Sequence, residues 1–369
     1  MHAIEPTCLD EISETWLTYV LRSRGVLEHA RVRALRVERL GTQGATSDTA
    51  RLSPEYDVAE ARAPRSLIVK LASRDPQTRA LMIALGTYER ELRFYSEIAP
   101  EAGPAIPHCH HAVSWPETGA FVLLLDDVYG TPGVPHLSAL EAAVVELARL
   151  HARYWNSPRL RELGWLEHDA SRLELFRKSL IGAVAKVRLR LGHCVPRDFA
   201  EAAALCGEHF ATLIAARDQD PRTLIHGDLH PGQLICGAQG PVFLDWQTVW
   251  VGTPGKDLAR LISMSLPPML RLSHERRLVA AYQTELQQRG VTGFDFETCM
   301  RDYRMGLLHS VMMNVFAAAE LDVEGLCANQ PEGEVSVFDR LFGRVDRALR
   351  DHDVVRSLRA ELGLLSRAA

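Results

Sequence analysis

The chain has 369 residues, a formal net charge of −5, 47% hydrophobic and 24% charged residues, the composition of a soluble globular protein with room for one large or two modest domains. That charge argues against a general nucleic-acid binder, and the lack of any run of about 18 apolar residues argues against a membrane span. Seven scattered cysteines without CxxC spacing point to free thiols in a reducing, cytoplasmic setting, and the acid-rich start MHAIEPTCLDEISETW does not read as a signal peptide.

Residues 9–30 read as one or two amphipathic helices, and Val32–Leu40 alternates as a strand. Gly41–Ser47 (GTQGATS) is flexible and polar, Thr49–Leu52 begins a returning strand, and 53–65 reads as a loop. Ser66–Ala72 (SLIVKLA) is a short β-rich strand and 76–98 a helix. Pro100, Pro104 and Pro107 punctuate the chain before a strand at Phe121–Leu125. These elements predict a mostly antiparallel sheet with one helix in residues 1–125, then a linker at 126–135 rich in Asp, Gly and Pro. From there to 369 the pattern is helical, over 138–156, 171–190, 198–217, 275–289, 296–319 and 335–363, interrupted by a β segment at 233–246. The expected fold class is therefore α+β: a small β-rich lobe, then a larger helical lobe, with a ligand expected between them.

The chemistry concentrates in HGDLHPGQ (226–233) and FLDWQ (243–247). Leu234–Cys236 and Val242–Leu244 flank GAQG and predict a hairpin, whose open end would gather Gln233 and Asp245, with Asp228 on the entering loop. This set suits phosphoryl transfer. Asp228 can accept or orient an acceptor hydroxyl proton, while Asp245 and the amide oxygen of Gln233 can ligate Mg²⁺, which needs few protein ligands because phosphates and water complete its shell. A bare HGD or a Pro-Gly turn is a weak signal; the spacing and the aspartate after the hairpin strengthen it. His226 reads as structural rather than as a general base, and His230 as either a substrate contact or a loop-packing residue.

Only Lys70, Lys178, Lys186 and Lys256 are lysines among 42 basic residues, which gives Lys70 in SLIVKLA extra weight. It either snorkels at a sheet edge or reaches nucleotide phosphates. Glu89 and Glu91 on the next helix are candidate partners; two positions apart, they face differently. Gly44 in GTQGATS permits close approach of phosphate or serves turn geometry alone.

HGDLHPGQ, FLDWQ and GTPGKDLARL (252–261) resemble the catalytic and metal-binding region of the aminoglycoside phosphotransferase-like small-molecule kinases, in their ecdysteroid-kinase-like and choline-kinase-like flavour. The resemblance spans about residues 30–320, including ELARLHARYW at 146–155. It implies a protein-kinase-like bilobal fold, ATP and Mg²⁺ as cofactors, and a small hydroxylated acceptor. It makes Asp228 catalytic, Asp245 and Gln233 metal ligands, and Asp257 a brace for the catalytic loop. It pairs Lys70 with Glu91 at the phosphates, places Gly44 in the phosphate-covering loop, and makes Leu125 and Asp127 the hinge that offers backbone groups to adenine. The family pattern HGDxHxxN ends in asparagine; Gln233 departs from it, as in the maltokinase-like branch, and reaches one methylene farther. Read without the resemblance, Asp257 is an acid favourably placed at a helix start, and FVLLLDDV is a strand ending in solvated acids. Asp302, Arg304 and His309 in RDYRMGLLHSVMMNVF are polar candidates for acceptor binding or for core salt bridges. No APE-like segment follows Asp245, so a small-molecule kinase is expected rather than a protein kinase. The competing expectation is a catalytically inactive nucleotide-binding regulator of the same fold.

Overall fold

A computed structural model describes residues 4–40, 46–103, 105–115, 117–134, 136–167, 169–217, 221–328 and 335–364; Gly44 lies outside them. The first unit, Met1–Gly130 with Val242–Thr248, is built on a sheet of β1 (Val32–Leu40), β2 (Ser47–Tyr56), β3 (Leu67–Ala72), β4 (Cys109–Trp115) and β5 (Ala120–Asp126). Their order is β1-β2-β3-β5-β4, antiparallel throughout. Helix α1 (Glu14–Ser23), capped by Ser13, buries Trp16, Leu17, Val20 and Leu21 in a cluster with Leu52, Val69, Leu71, Val122 and Leu124. Because side chains alternate along a strand, this commitment of Val69 and Leu71 turns Lys70 to the opposite face. β3 is the central strand, so Lys70 is not at a sheet edge.

The unit departs from the sequence expectation in three places. β2 continues to Tyr56, through part of the stretch expected as loop; beyond Leu52 it pairs with β1 alone, and Pro54 is tolerated on that open side. Strand β4 was not expected. The helix over 76–98 is broken: α2 (Pro76–Leu85) ends at Gly86, whose φ of 72° redirects the chain into α3 (Thr87–Arg93), a π-helical turn (Phe94–Ile98) and α4 (Ala99–Ala102).

The second unit, Thr131–Pro241 with Val249–Ala369, is mainly helical. Its helices are α5 (Leu137–Arg153), α6 (Pro158–Glu162), α7 (Ala170–Leu191), α8 (Arg197–Glu208), α9 (Phe210–Arg217), α10 (Gly255–Ser265), α11 (Pro268–Gln288), α12 (Phe296–Glu320), α13 (Val323–Ala328), α14 (Arg344–Asp351) and α15 (Val354–Glu361). Short strands punctuate them: β6 (Thr131–Pro132), β7 (Thr223–Ile225), β8 (Leu234–Gly237), β9 (Gly240–Phe243) and β10 (Trp250–Gly252). β7 pairs with β10, and β6, β8 and β9 form a small sheet.

α12 packs against α7, α8, α10, α11 and α14. Its crossing with α10 is so close that a Cβ on Gly306 would stand 2.0 Å from the Gly255 carbonyl oxygen, so glycine is required there. α11 starts seven residues before the expected 275, at Pro268, a residue suited to the first helical turn. The helix expected over 335–363 is interrupted at Asp353, whose φ is 50°.

Candidate active site

Two clusters carry the candidate residues, one in each unit. In the first, Lys70 on β3 lies 2.6 Å from Glu91 Oε1 and 2.7 Å from Asp245 Oδ1. Gly86 makes this possible by turning the chain so that α3 presents Glu91 to the sheet. Glu89, two positions earlier, pairs instead with Arg93 on the helix surface. Asp245 holds a left-handed backbone, φ 62°, an arrangement that costs an L-residue about 1–2 kcal/mol and persists where neighbours enforce it. The neighbours are visible. Trp246 stacks on Phe94 with ring centroids 4.1 Å apart and donates its indole N–H to the Phe243 carbonyl oxygen. Gln247 donates to Asp245 Oδ2 at 3.3 Å and accepts from the Thr46 hydroxyl at 2.9 Å. Tyr88 fixes the Thr46 carbonyl, 2.6 Å away.

The cluster carries one ammonium against two carboxylates. Burial is the main force on Glu91; with Asp245 beside it, it outweighs the Lys70 attraction and pushes the carboxyl up to about 7. Burial opposes the charge on Lys70, but Asp245 and Glu91 overcome it and shift the lysine upward, so the ammonium is kept.

Leu125, one residue before the end of β5, is buried between β3 and β4. The Asp127 carboxylate accepts from Arg51 and from Ser66, each at 2.7 Å, and so ties β2 to the start of β3. It is a buried anchor and not the solvated acid of the simplest sequence reading.

The second cluster is organised by Asp257 in the first turn of α10. Its carboxylate is wholly buried and accepts from the backbone N–H of His226 at 2.6 Å and of Gly227 at 2.9 Å. Burial works to raise this carboxyl, but His151, 3.4 Å away, and the His226 N–H outweigh it and hold it below the ordinary range. The His226 ring accepts from the Asp228 N–H, which gives it a loop-holding contact. Gly227, at φ 84°, turns its carbonyl to His309 Nε2. His309 is buried, and burial together with Lys256 and Arg260 depresses it to about 4, so it donates as a neutral imidazole.

Asp228 Oδ1 is gripped by Arg260, at 2.6 Å from Nε and 2.5 Å from Nη2. The third guanidinium nitrogen donates to Asn314 Oδ1 at 2.9 Å, and Asn314 is itself pinned to the Leu341 carbonyl. Asp228 Oδ2 has His230 Nε2 at 3.8 Å, beyond hydrogen-bond range. His230 caps the turn Pro231–Gln233 by accepting from the Gly232 N–H. Gln233 closes that turn, donating its N–H to the His230 carbonyl, and its side chain is half-buried.

Of the three polar residues singled out on α12, Asp302 accepts from the Gly255 N–H at 2.6 Å and caps α10. His309 holds Gly227, and Arg304 is half-buried.

The sequence reading missed Arg260, Asn314, Thr46 and Gln247. Arg260 carried a signal: it stands three residues after Asp257 on one helix, so the two share a face, and an arginine inside LARLI needs a buried acid. Nothing local marks Thr46 or Asn314, whose partners are far away in sequence; Gln247 stands two residues after its partner Asp245, inside FLDWQ.

The profile of the phosphotransferase enzyme family matches residues 51–292, well over half of the chain. The chain belongs to that family. The fold agrees: choline kinase from Cryptosporidium parvum Iowa II superposes with a TM-score of 0.51 at 10% identity, covering 96% of this chain and 98% of that one. Ethanolamine kinase from Plasmodium vivax gives 0.51 at 11% identity, covering 93% and 89%. Both show the protein-kinase-like bilobal class, a β-sheet lobe and a larger helical lobe. No curated protein sequence matches the chain. Membership places the activity in the phosphotransferase class.

Among the described residues no three His, Cys, Asp or Glu side chains gather to hold a metal ion, and no helix is long and apolar enough to cross a membrane. All seven cysteines are free thiols. The donor chemistry still fits Mg²⁺ held chiefly by phosphates, which asks the protein for only one or two oxygen ligands. In the first unit Asp245 carries a hard carboxylate that is 23% exposed.

Proposed function

We propose that this protein is an ATP-dependent small-molecule kinase that moves the γ-phosphate to an alcohol hydroxyl. The observation that carries the reading is the Lys70–Glu91–Asp245 cluster, a buried ammonium fixed between two carboxylates. A structural ion pair needs one carboxylate. A lysine with two, one of them partly exposed on a strained backbone, suits binding of a polyanion and its counter-ion.

In this reading Lys70 contacts the nucleotide phosphates and Glu91 keeps it in place. The main chain around Leu125 and Asp127 receives adenine. Asp245 and Gln233 would hold Mg²⁺, which would supply positive charge against the phosphates. Asp228 accepts the acceptor hydroxyl proton at Oδ2, because Oδ1 is committed to Arg260. The hydroxyl oxygen bonds to the γ-phosphorus as the bond to the β-phosphate oxygen breaks, and ADP leaves. His226 and Asp257 support the loop: with both backbone N–H groups on the Asp257 carboxylate, Asp228 is positioned without reorganisation at the moment of transfer.

The test is ADP release from Mg²⁺-ATP across a library of small hydroxyl compounds. Acceptor-dependent release that vanishes in Asp228→Asn, while that variant still binds nucleotide, is expected. Nucleotide binding without release by any acceptor would favour the regulator that Gln233 suggests. Unchanged nucleotide binding in Lys70→Ala would refute the assignment of the first cluster.

A further inference from the structure

The second unit contains a cavity of about 550 Å³, within the size range of sites that take a drug-sized ligand. One wall is a stripe of α12, where Met305, Leu308, His309 and Met312 recur at helical spacing. Phe210 and Phe294 also line it, and each is fixed by another ring: Phe210 stacks on Phe176, and Phe294 meets Trp155 edge-on. The exposed residues Arg301 and Glu361 lie among the lining.

Two lining residues connect the cavity to the catalytic loop. His309 donates to the carbonyl of Gly227, the residue before Asp228. Lys256 stands one helical turn ahead of Arg260 on α10, and Arg260 grips Asp228.

The charges on the lining disfavour a cation. The Asp302 carboxylate caps the Gly255 N–H. Lys256, whose Nζ rests 4.1 Å from the centroid of the Trp250 ring, puts a positive charge on the lining. Lys256 and Arg301 add positive charge against Asp302 and Glu361, so no acidic excess gathers there.

From these observations we infer that the cavity binds a lipophilic alcohol, its apolar body among the methionines and rings and its hydroxyl toward His309 and Lys256. That this alcohol is the phosphoryl acceptor rests on the function proposed above.

The probe is 11-(dansylamino)undecan-1-ol, titrated into the full-length protein and followed by dansyl fluorescence. Wild type binds it saturably, dodecan-1-ol displaces it, and millimolar choline does not. Met312→Trp fills the cavity from a half-buried position and weakens binding about tenfold or more, whereas Met312→Leu stays within about threefold. Circular dichroism melting shows that each variant folds.

No saturable binding, or binding indifferent to Met312→Trp in the folded variant, overturns the inference. So does displacement by choline, and choline-driven ADP release that depends on Asp228 would then leave the kinase reading intact. Binding that depends on Met312, with no ADP release from any alcohol, upholds the cavity assignment and removes the kinase reading instead.

Discussion

Lys70→Met removes the ammonium that bridges Glu91 and Asp245, and the cost should depend on pH. Burial holds Glu91 up at about 7 in the wild type, against the Lys70 attraction and with Asp245 pushing the same way. At about pH 6, Glu91 is mostly protonated, so the variant loses chiefly the partly exposed Lys70–Asp245 pair, about 1 kcal/mol. Without the lysine, Glu91 keeps its proton above pH 7, while the unfolded chain, with a value of 4.5, has released it. Stability then falls as pH rises, by about 1.4 kcal/mol per unit relative to wild type, in which Glu91 has ionised. By about pH 8.5 this adds about 2 kcal/mol, for a total of about 3, the lower end of the range for breaking a buried pair. Hydrogen exchange of the β3 amides reports the opening free energy of this unit directly. A loss of about 1 kcal/mol at the lower pH and about 3 at the higher is expected, and Lys70→Met/Glu91→Gln should show no such slope. A loss of 3 or more at both pH values would mean that Glu91 is ionised throughout, and the reasoning fails.

His309 is depressed from 6.5 to about 4 by burial and by the nearby Lys256 and Arg260. As a base with a lowered folded value, it contributes stability that is present above pH 6.5 and lost as pH falls toward 4, on the order of 3 kcal/mol in all. Urea unfolding of wild type and His309→Gln between those limits checks this; parallel pH profiles would contradict it. Asp257→Ala strips the acceptor from the His226 and Gly227 N–H groups, and at about 1–3 kcal/mol for each buried unpaired group it should cost about 3 kcal/mol, with Asp257→Asn about half as damaging. A shift below about 1 kcal/mol in urea unfolding would show that water or His151 replaces the carboxylate.

The family is legible where local motifs carry it. HGDLHPGQ and FLDWQ are read from residue types and spacing, and the alternation in SLIVKLA already separates Lys70 from Val69 and Leu71. The family resemblance stated from those motifs is the family found. What was illegible depends on partners far away. β4, β7 and β10 are strands because a neighbour pairs with them, not because their own pattern demands it. Asn314 matters only because Arg260 reaches it across 54 positions, and Thr46 because Gln247 does across 201. The split of the 76–98 helix hinged on one residue, Gly86, whose left-handed conformation a periodicity count does not register.

The return of Val242–Thr248 to the first unit means that this unit is not a contiguous stretch of chain. A fragment cut after Gly130 would leave Phe94 without Trp246 and Lys70 with Glu91 as its sole remaining carboxylate from the cluster. Any excision, circular permutation or grafting of the β-lobe must therefore carry the seven-residue strap 242–248 with it, either spliced on or supplied as a separate peptide.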